Sequence, residues 1–230
     1  MCGRYTNQTP LQAFAELFGT PVPDLELGPR YNVAPGDAIL ACRASPVGGR
    51  ELVLLRWGFV PAWSRTPSAG PRPINARAES VGEKPLFRDA FRRRRCLVAA
   101  DGFYEWKPEG KRKQPWYFRL AGGVPFAFAG IWERTRGPEG EPLETCAILV
   151  TEANELVARI HARMPVILTG ECFGEWLDTA EGDAGRLSPL LRPFPPGRME
   201  AFPVGPAVNR PGVEGPDLLR PLETAGGTTR

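Results

Sequence analysis

The sequence predicts an α+β protein in which short β-strands dominate and short helices lie at the periphery. Three observations support this class. The 230 residues include 26 glycines and 26 prolines, which indicates many turns between short elements. Runs with the apolar, β-branched and aromatic composition of strands recur along the chain. The hydrophobic content of 42% allows a substantial core, and no long linker interrupts the chain, so we expect one domain.

The first predicted element is a helix with Thr9 as its N-cap, Pro10 in its first turn and Gly19 at its end. Most later elements are predicted strands. In chain order, these strands span residues 38–43, 51–57, 97–100, 102–107, 116–120, 126–132, 145–151, 163–168 and 199–204. Residues 85–91 are predicted to form a short turn or helix, and further helices are predicted over residues 153–160, 171–177 and 187–191. A Pro- and Gly-containing turn between the first two strands predicts a β-hairpin.

The domain is predicted to span residues 1–210. From Pro211 onward the composition is Gly, Pro, Thr and charge, so residues 211–230 are predicted to form a disordered C-terminal tail. A loop with several prolines is predicted over residues 65–73.

Composition also bounds the classes of function. No stretch approaches 18 apolar residues, so we expect neither a membrane span nor a secretion signal. The five cysteines are an odd number, are widely spaced and contain no C-x-x-C pair, so neither a disulfide framework nor a metal site is predicted. A reducing cytoplasm fits this pattern. The net charge of +3 permits a polyanionic partner without requiring one.

Cys2 is the first candidate functional residue. Methionine is usually removed before a small second residue, and removal of Met1 would place an α-amine and a thiol on neighbouring carbons. The reference pKa of the amine is about 7.7 to 8.0 and that of the thiol about 8.5, so both reach their nucleophilic forms near neutral pH. Such a pair traps aldehydes, since the amine forms a Schiff base and the thiolate closes a thiazolidine ring. A buried structural cysteine is the alternative.

Three further positions suggest chemistry. In the predicted strand over residues 102–107, Glu105 shares a face with Phe103, where a carboxylate is expected only if it is paired or used. His161 is the only histidine and follows a predicted helix, whose dipole favours the imidazolium form. The run Arg92-Arg93-Arg94-Arg95 is open to two interpretations, a solvated face or a phosphate-facing surface.

Several motifs together resemble one known family, the SRAP (SOS response-associated peptidase) family of proteins that crosslink to abasic sites in single-stranded DNA. The motifs run in family order from residue 1 to about residue 168. They are Met1-Cys2-Gly3-Arg4-Tyr5, Tyr31-Asn32-Val33-Ala34-Pro35, Trp57-Gly58-Phe59-Val60-Pro61, Ile74-Asn75-Ala76-Arg77-Ala78-Glu79, Ala100-Asp101-Gly102-Phe103-Tyr104-Glu105-Trp106-Lys107 and Ile160-His161-Ala162-Arg163-Met164-Pro165. One departure is Ala162, where the family commonly has an aspartate.

The resemblance implies a β-rich fold around a distorted antiparallel barrel and a cytoplasmic monomer without a cofactor. Its implied partner is single-stranded DNA that contains abasic sites, including junctions with duplex DNA, and its implied product is a thiazolidine crosslink with associated lyase and self-reversal activity. The catalytic residues that it implies are Cys2, Asn75, Glu105 and His161. The DNA-binding residues that it implies are Arg4, Asn32, Pro35, Trp63, Arg77 and Arg163.

Two other classes of function stay open on the sequence alone. Cys2 and His161 could form the thiolate–imidazolium pair of a thiol peptidase, although only Met1 precedes Cys2. Alternatively, the tryptophans Trp57 and Trp63 could combine with the arginines in a single-strand binding protein that forms no covalent bond.

Overall fold

The computed structural model describes residues 2–64, 72–179 and 184–222, and β-strands account for most of its regular structure. The strands are β1 (Tyr5–Asn7), β2 (Arg30–Val33), β3 (Ala38–Ala44), β4 (Arg50–Trp57), β5 (Asn75–Arg77), β6 (Arg95–Ala100), β7 (Gly102–Glu109), β8 (Arg112–Leu120), β9 (Phe126–Arg136), β10 (Pro142–Glu152), β11 (Arg163–Pro165), β12 (Ile167–Leu168) and β13 (Met199–Pro203). The α-helices are α1 (Leu11–Phe18), α2 (Arg88–Arg93), α3 (Glu155–Ala158), α4 (Phe173–Leu177) and α5 (Ala184–Leu187).

Five strands form a closed barrel. Their order is β4-β3-β6-β9-β10, and the ring closes because β10 pairs with β9 on one side and with β4 on the other. Strand β5 also pairs with β10. The β4–β10 pairing in the ring is parallel, as is the β5–β10 pairing beside it. The barrel therefore contains a parallel pair, whereas the sequence predicts an antiparallel barrel. Parallel neighbours need a long connection rather than a hairpin, and the chain between β4 and β10 provides it.

A separate five-stranded antiparallel sheet has the order β13-β8-β7-β1-β2. One cluster of buried side chains joins this sheet to the barrel, and it contains Cys2, Phe103 and Phe128. A second cluster joins the barrel to helices α1, α2 and α4 through side chains such as Phe14 and Trp176. Two-sided burial of the barrel strands explains their long apolar runs, and it places Cys2 between two layers.

The start of the chain is fixed by Asp101, at the corner between β6 and β7. Its buried carboxylate accepts hydrogen bonds from the backbone N–H groups of Gln8 and Thr9 (2.7 and 2.8 Å) and from the hydroxyl groups of Thr6 and Thr9 (2.5 and 2.9 Å). The prediction that Thr9 caps helix α1 is therefore wrong, because this acceptor from elsewhere in the chain takes its hydroxyl. The same network holds β1, and with it Cys2, against β7.

The prediction of a disordered tail from Pro211 is wrong for residues 211–222. A 3₁₀-helix spans Pro216–Leu219, and Leu218 is buried in a small cluster with Tyr104 and Tyr117. The backbone N–H group of Leu222 donates to the carbonyl of Pro203 (2.9 Å). A few well-spaced apolar residues anchor this segment, whereas its overall composition resembles that of a flexible tail. The rest of the predicted tail lies outside the described residues, as does most of the predicted loop over residues 65–73.

Candidate functional site

Strands β1 and β7 bring Cys2 and Glu105 to the same place. Tyr5 pairs with Phe103, and the backbone N–H group of Tyr104 donates to the carbonyl of Arg4 (3.0 Å). Because side chains alternate along a strand, Glu105 lies on the same face of β7 as Phe103, beside the start of the chain. Cys2 and Phe103 belong to one core cluster and both are fully buried. The two-residue pairing between β1 and β7 thus brings the start of the chain beside Glu105.

Asn75 contacts Cys2 directly. Its Nδ2 donates to the carbonyl oxygen of Cys2 (2.9 Å), and strand β5 holds it in place through parallel pairing with Ile148 of β10. The Oδ1 atom of Asn75 is buried and accepts no hydrogen bond from any described residue. A buried acceptor without a donor costs free energy, so this atom is suited to receive a donor from the N-terminal residue.

The Glu105 side chain is 3% exposed, and this burial raises the pKa of its carboxyl group. The charge of His161 acts in the opposite direction and lowers that pKa, but burial dominates. The carboxyl group therefore keeps its proton to a higher pH than an exposed glutamate does. That property suits a group that must donate a proton as well as accept one.

His161 follows helix α3 and is oriented by backbone. The backbone N–H group of Arg163 donates to His161 Nδ1 (3.0 Å), and the backbone N–H group of His161 donates to the carbonyl of Val157 (2.9 Å). His161 Nδ1 also lies 3.0 Å from the carbonyl oxygen of Arg163, so the same backbone can hold either tautomer of the ring. The backbone of Arg163 thus fixes the orientation of the His161 ring.

A cavity of about 540 Å³ opens over Glu105 and His161. It is lined by Glu105, Trp106, Lys113, His161 and Asn209. The indole N–H group of Trp106 donates to Asn209 Oδ1 (2.7 Å), which ties the C-terminal segment to the cavity wall. The β7–β8 pairing extends far enough to place the exposed Lys113 at the edge of this cavity.

The environment of Cys2 disfavours ionisation of its thiol. Burial raises its pKa well above the usual value, and the charge of Glu105 raises it further. Reactive thiols of the peptidase type have depressed pKa values, which arise from a neighbouring imidazolium or another cation. A raised pKa does not fit a resting thiolate–imidazolium pair between Cys2 and His161.

Arg4 and Asn32 serve the fold. Asn32 is 1% exposed, and its Nδ2 donates to the carbonyls of Arg210 and Val213 (both 3.0 Å). Arg4 Nη1 donates to Asn32 Oδ1 (2.7 Å) and to the carbonyl of Val208 (2.8 Å). The amide of Asn32 is thus buried and occupied by backbone, and its predicted role in DNA binding stays a prediction. Arg4 is only partly buried and retains an exposed edge.

Arg77 and Arg163 differ in how available they are. Arg77 is exposed on β5, two residues after Asn75, so it lies on the same side of that strand. Arg163 forms a two-point ion pair with Glu79 (2.8 and 2.6 Å), so a phosphate would have to displace that carboxylate to reach it. Of these two arginines, Arg77 faces solvent and forms no ion pair with a described residue.

The remaining predicted residues, Pro35 and Trp63, are not among those that line the cavity. Pro35 is exposed in the turn between β2 and β3, and the Trp63 side chain is 70% exposed beyond β4. The run of four arginines is neither a continuous solvated face nor a continuous phosphate-facing surface. Arg95 is buried and donates to backbone carbonyls, and Arg94 forms an ion pair with Glu133 (2.7 Å). The other two, Arg92 and Arg93, are exposed on helix α2.

Comparison with known proteins identifies the family. The profile of the family "SOS response associated peptidase (SRAP)" matches residues 1–211. The chain belongs to the SRAP family. Within this SRAP protein, no helix among the described residues is long and apolar enough to span a membrane, and no group of His, Cys, Asp and Glu in the same residues could hold a metal ion.

Individual relatives extend this result. The abasic site processing protein YoqW of Bacillus subtilis (strain 168) is 43% identical over 222 residues, which cover 95% of this chain and 99% of YoqW. The abasic site processing protein YedK of Escherichia coli (strain K12) is 31% identical over 229 residues, covering 96% and 100%. A solved structure from Bacteroides thetaiotaomicron is 27% identical, with a TM-score of 0.84 over 96% of this chain and 100% of that one. The predicted α+β fold and family are confirmed.

Proposed function

We propose that this SRAP protein captures abasic sites in single-stranded DNA by forming a thiazolidine with Cys2, after removal of Met1. The observation that carries the proposal is the hydrogen bond from Asn75 to the carbonyl of Cys2, which fixes this residue beside the buried carboxyl of Glu105. Relatives of this chain are named abasic site processing proteins, and this supports the proposal independently of the geometry.

The amine acts first. It attacks the aldehyde carbon of the ring-opened sugar, and the resulting carbinolamine loses water to give a Schiff base. Because the pKa of the Cys2 thiol is raised, the resting thiol is protonated and the amine is the better initial nucleophile. The thiol then gives up its proton and its sulfur bonds to the imine carbon. One C–N bond and one C–S bond form, and one water molecule leaves.

Glu105 and His161 supply the protons. Glu105, whose pKa is raised by burial, donates a proton to the leaving hydroxyl group of the carbinolamine and accepts the thiol proton later. His161 lines the same cavity and donates to the sugar oxygen as the ring opens. Asn75 cannot titrate, so its role is to orient Cys2, with Oδ1 as the acceptor for the amine.

The DNA backbone lies over the exposed cations near the site in this proposal. Arg77, the exposed edge of Arg4 and Lys113 provide positive charge around the cavity, and Pro35 and Trp63 provide apolar surface for unstacked bases.

An associated lyase activity would arise from the same Schiff base. A base removes the proton next to the imine carbon, the bond to the 3′ phosphate oxygen breaks, and the phosphate leaves.

Denaturing electrophoresis after incubation with an abasic oligonucleotide tests the proposal. A slow band that resists heat and needs no reductant supports the thiazolidine. A band that appears only after borohydride treatment indicates a Schiff base without ring closure. The absence of any band, together with retained binding in a native gel, would support the non-covalent alternative, and cleavage of a peptide substrate would support the peptidase alternative.

A further inference from the structure

A second cavity lies away from the candidate site, at the end of the barrel. Its volume is about 850 Å³, and Ala62 and Ser64, the neighbours of Trp63 in the chain, form one side of it. Arg134 and Arg136 form part of the other side, near the end of β9. The Trp63 side chain is 70% exposed and is the most exposed aromatic residue among those described.

Two guanidinium groups of this cavity have no ion-pair partner among the described residues. Arg134 and Arg136 are exposed, and neither guanidinium forms an ion pair with a described residue. Two acids of the same hairpin have other partners, and a third, Glu139, is exposed in its turn. Glu144, opposite Arg134 across the ladder, forms an ion pair with Arg43 (3.0 Å), and the carboxylate of Glu141 accepts the backbone N–H group of Glu139 (3.0 Å).

The cavity and the candidate site are connected through strands β9 and β10. Alternate residues of a strand share a face, so Arg134 and Arg136 continue the face of β9 that carries Phe128, which packs in one cluster with Cys2. Along β10, Pro142 lines the cavity and Ile148 pairs with Asn75. Six residues of strand span about 20 Å, the length of about six stacked nucleotides of one strand.

We propose that Trp63, Arg134 and Arg136 form a second DNA-binding surface, which holds the single strand flanking the lesion several nucleotides from Cys2. This inference rests on the proposed function. An exposed indole ring stacks on a base, and the two guanidinium groups bind phosphates of the same strand. The occupant is single-stranded, because internal bases of a duplex are already stacked and leave no face for Trp63.

Equilibrium binding tests the surface separately from the chemistry. The probes carry a tetrahydrofuran abasic analogue, which has no aldehyde, with flanks of two nucleotides on each side. One flank is then extended to twelve nucleotides, on the 5′ side or on the 3′ side, and a third set pairs the extension with a complementary strand. Extension of one single-stranded flank is expected to steepen the dependence of log affinity on log salt by about 1.4, the value for two phosphate contacts.

The variant Arg134→Ala/Arg136→Ala is expected to lose this increase and to bind the short probe as the wild type does. Arg134→Lys/Arg136→Lys should retain the increase, since phosphate contact needs charge. Arg92→Ala/Arg93→Ala removes the same charge from an exposed helix elsewhere and is the matched control. Trp63→Ala should weaken binding of the extended probe about tenfold, as loss of one base stack does.

Three results would overturn the inference. They are no effect of extension on either side, an equal loss in the Arg92→Ala/Arg93→Ala control, and a gain that occurs only when the extension is duplex. A reactive abasic oligonucleotide with short flanks distinguishes failure of this inference from failure of the proposed function. Wild type and Arg134→Ala/Arg136→Ala should both crosslink to it, and failure of the wild type to do so would refute the crosslinking proposal alone.

Discussion

The substitution Glu105→Gln separates the chemistry of the site from its stability. A positioned acid–base group contributes roughly 10² to 10⁴ to a rate. Glu105 is 3% exposed, so bulk water does not replace it, and we expect the single-turnover crosslinking rate to fall about 10³-fold or more. This corresponds to about 4 kcal/mol or more in the barrier. The thiazolidine, once formed, should be as durable as in the wild type.

The pH dependence should change as well. Because the pKa of Glu105 is raised, its acid form persists to higher pH, and the wild-type rate should fall as pH rises through that pKa. Glu105→Gln should lack this falling limb and keep only the rising limb of the amine. Rates from quenched reactions between pH 5 and 9 test this, with the exposed Glu109→Gln on the same strand as control. A variant rate within threefold of wild type would refute the proposed role.

Stability should move in the opposite direction to activity. A carboxyl group whose pKa is raised on folding stabilises the fold below its unfolded pKa of about 4.3, and this contribution is lost as pH rises through the folded value. Glu105→Gln removes that loss, so its Tm should exceed that of the wild type at pH 7 and match it near pH 4. A lower Tm at pH 7 would show that the attraction between Glu105 and its neighbours outweighs the cost of burial.

Three further variants address other parts of the structure. Cys2→Ala retains the α-amine, so a Schiff base should still be trapped by borohydride, whereas the unreduced adduct should hydrolyse because no sulfur closes the ring. Arg77→Ala should weaken binding to all single-stranded sequences alike and reduce the salt slope by about 0.7, the value of one phosphate contact, in fluorescence titrations. Gly102→Ala should destabilise the fold by about 1 to 3 kcal/mol in thermal melts, because the added Cβ atom would lie 2.0 Å from the hydroxyl of Tyr117.

For each of these variants, a particular result would contradict the expected outcome. A heat-stable, unreduced crosslink from Cys2→Ala would place the nucleophile elsewhere. An unchanged salt slope would give Arg77 a structural role. Gly197→Ala is the control for Gly102→Ala, since no atom lies within 4 Å of the added Cβ there, and equal losses in both would remove the steric explanation.

The predictions that succeeded rest on local pattern. Alternation along residues 102–107 places Glu105 on the face of Phe103, and the structure buries this carboxylate. The apolar runs over residues 126–132 and 145–151 predict strands, and β9 and β10 of the barrel confirm them. In such segments the two-residue period of a strand, and burial on both faces, leave a direct trace in the sequence.

The features that the sequence did not predict depend on partners far away in the chain. Asn32 looks like an exposed polar residue of a motif, but the carbonyl groups that bury it come from residues 208–213. Strand β1 has only three residues and no pattern of its own, since Asp101 and β7 define it. Lys113 reaches the cavity only because the β7–β8 pairing extends so far. Tertiary partners decide these positions, and local propensity does not reveal them.

The mass of the intact adduct tests the central proposal most directly. Wild-type protein is incubated with a short abasic oligonucleotide, heated without reductant and analysed by mass spectrometry, followed by peptide mapping. The account predicts a mass equal to the protein without Met1 plus the oligonucleotide minus one water, with the DNA remnant on Cys2. A heat-stable adduct that retains Met1, or one mapped to any other residue, would contradict it.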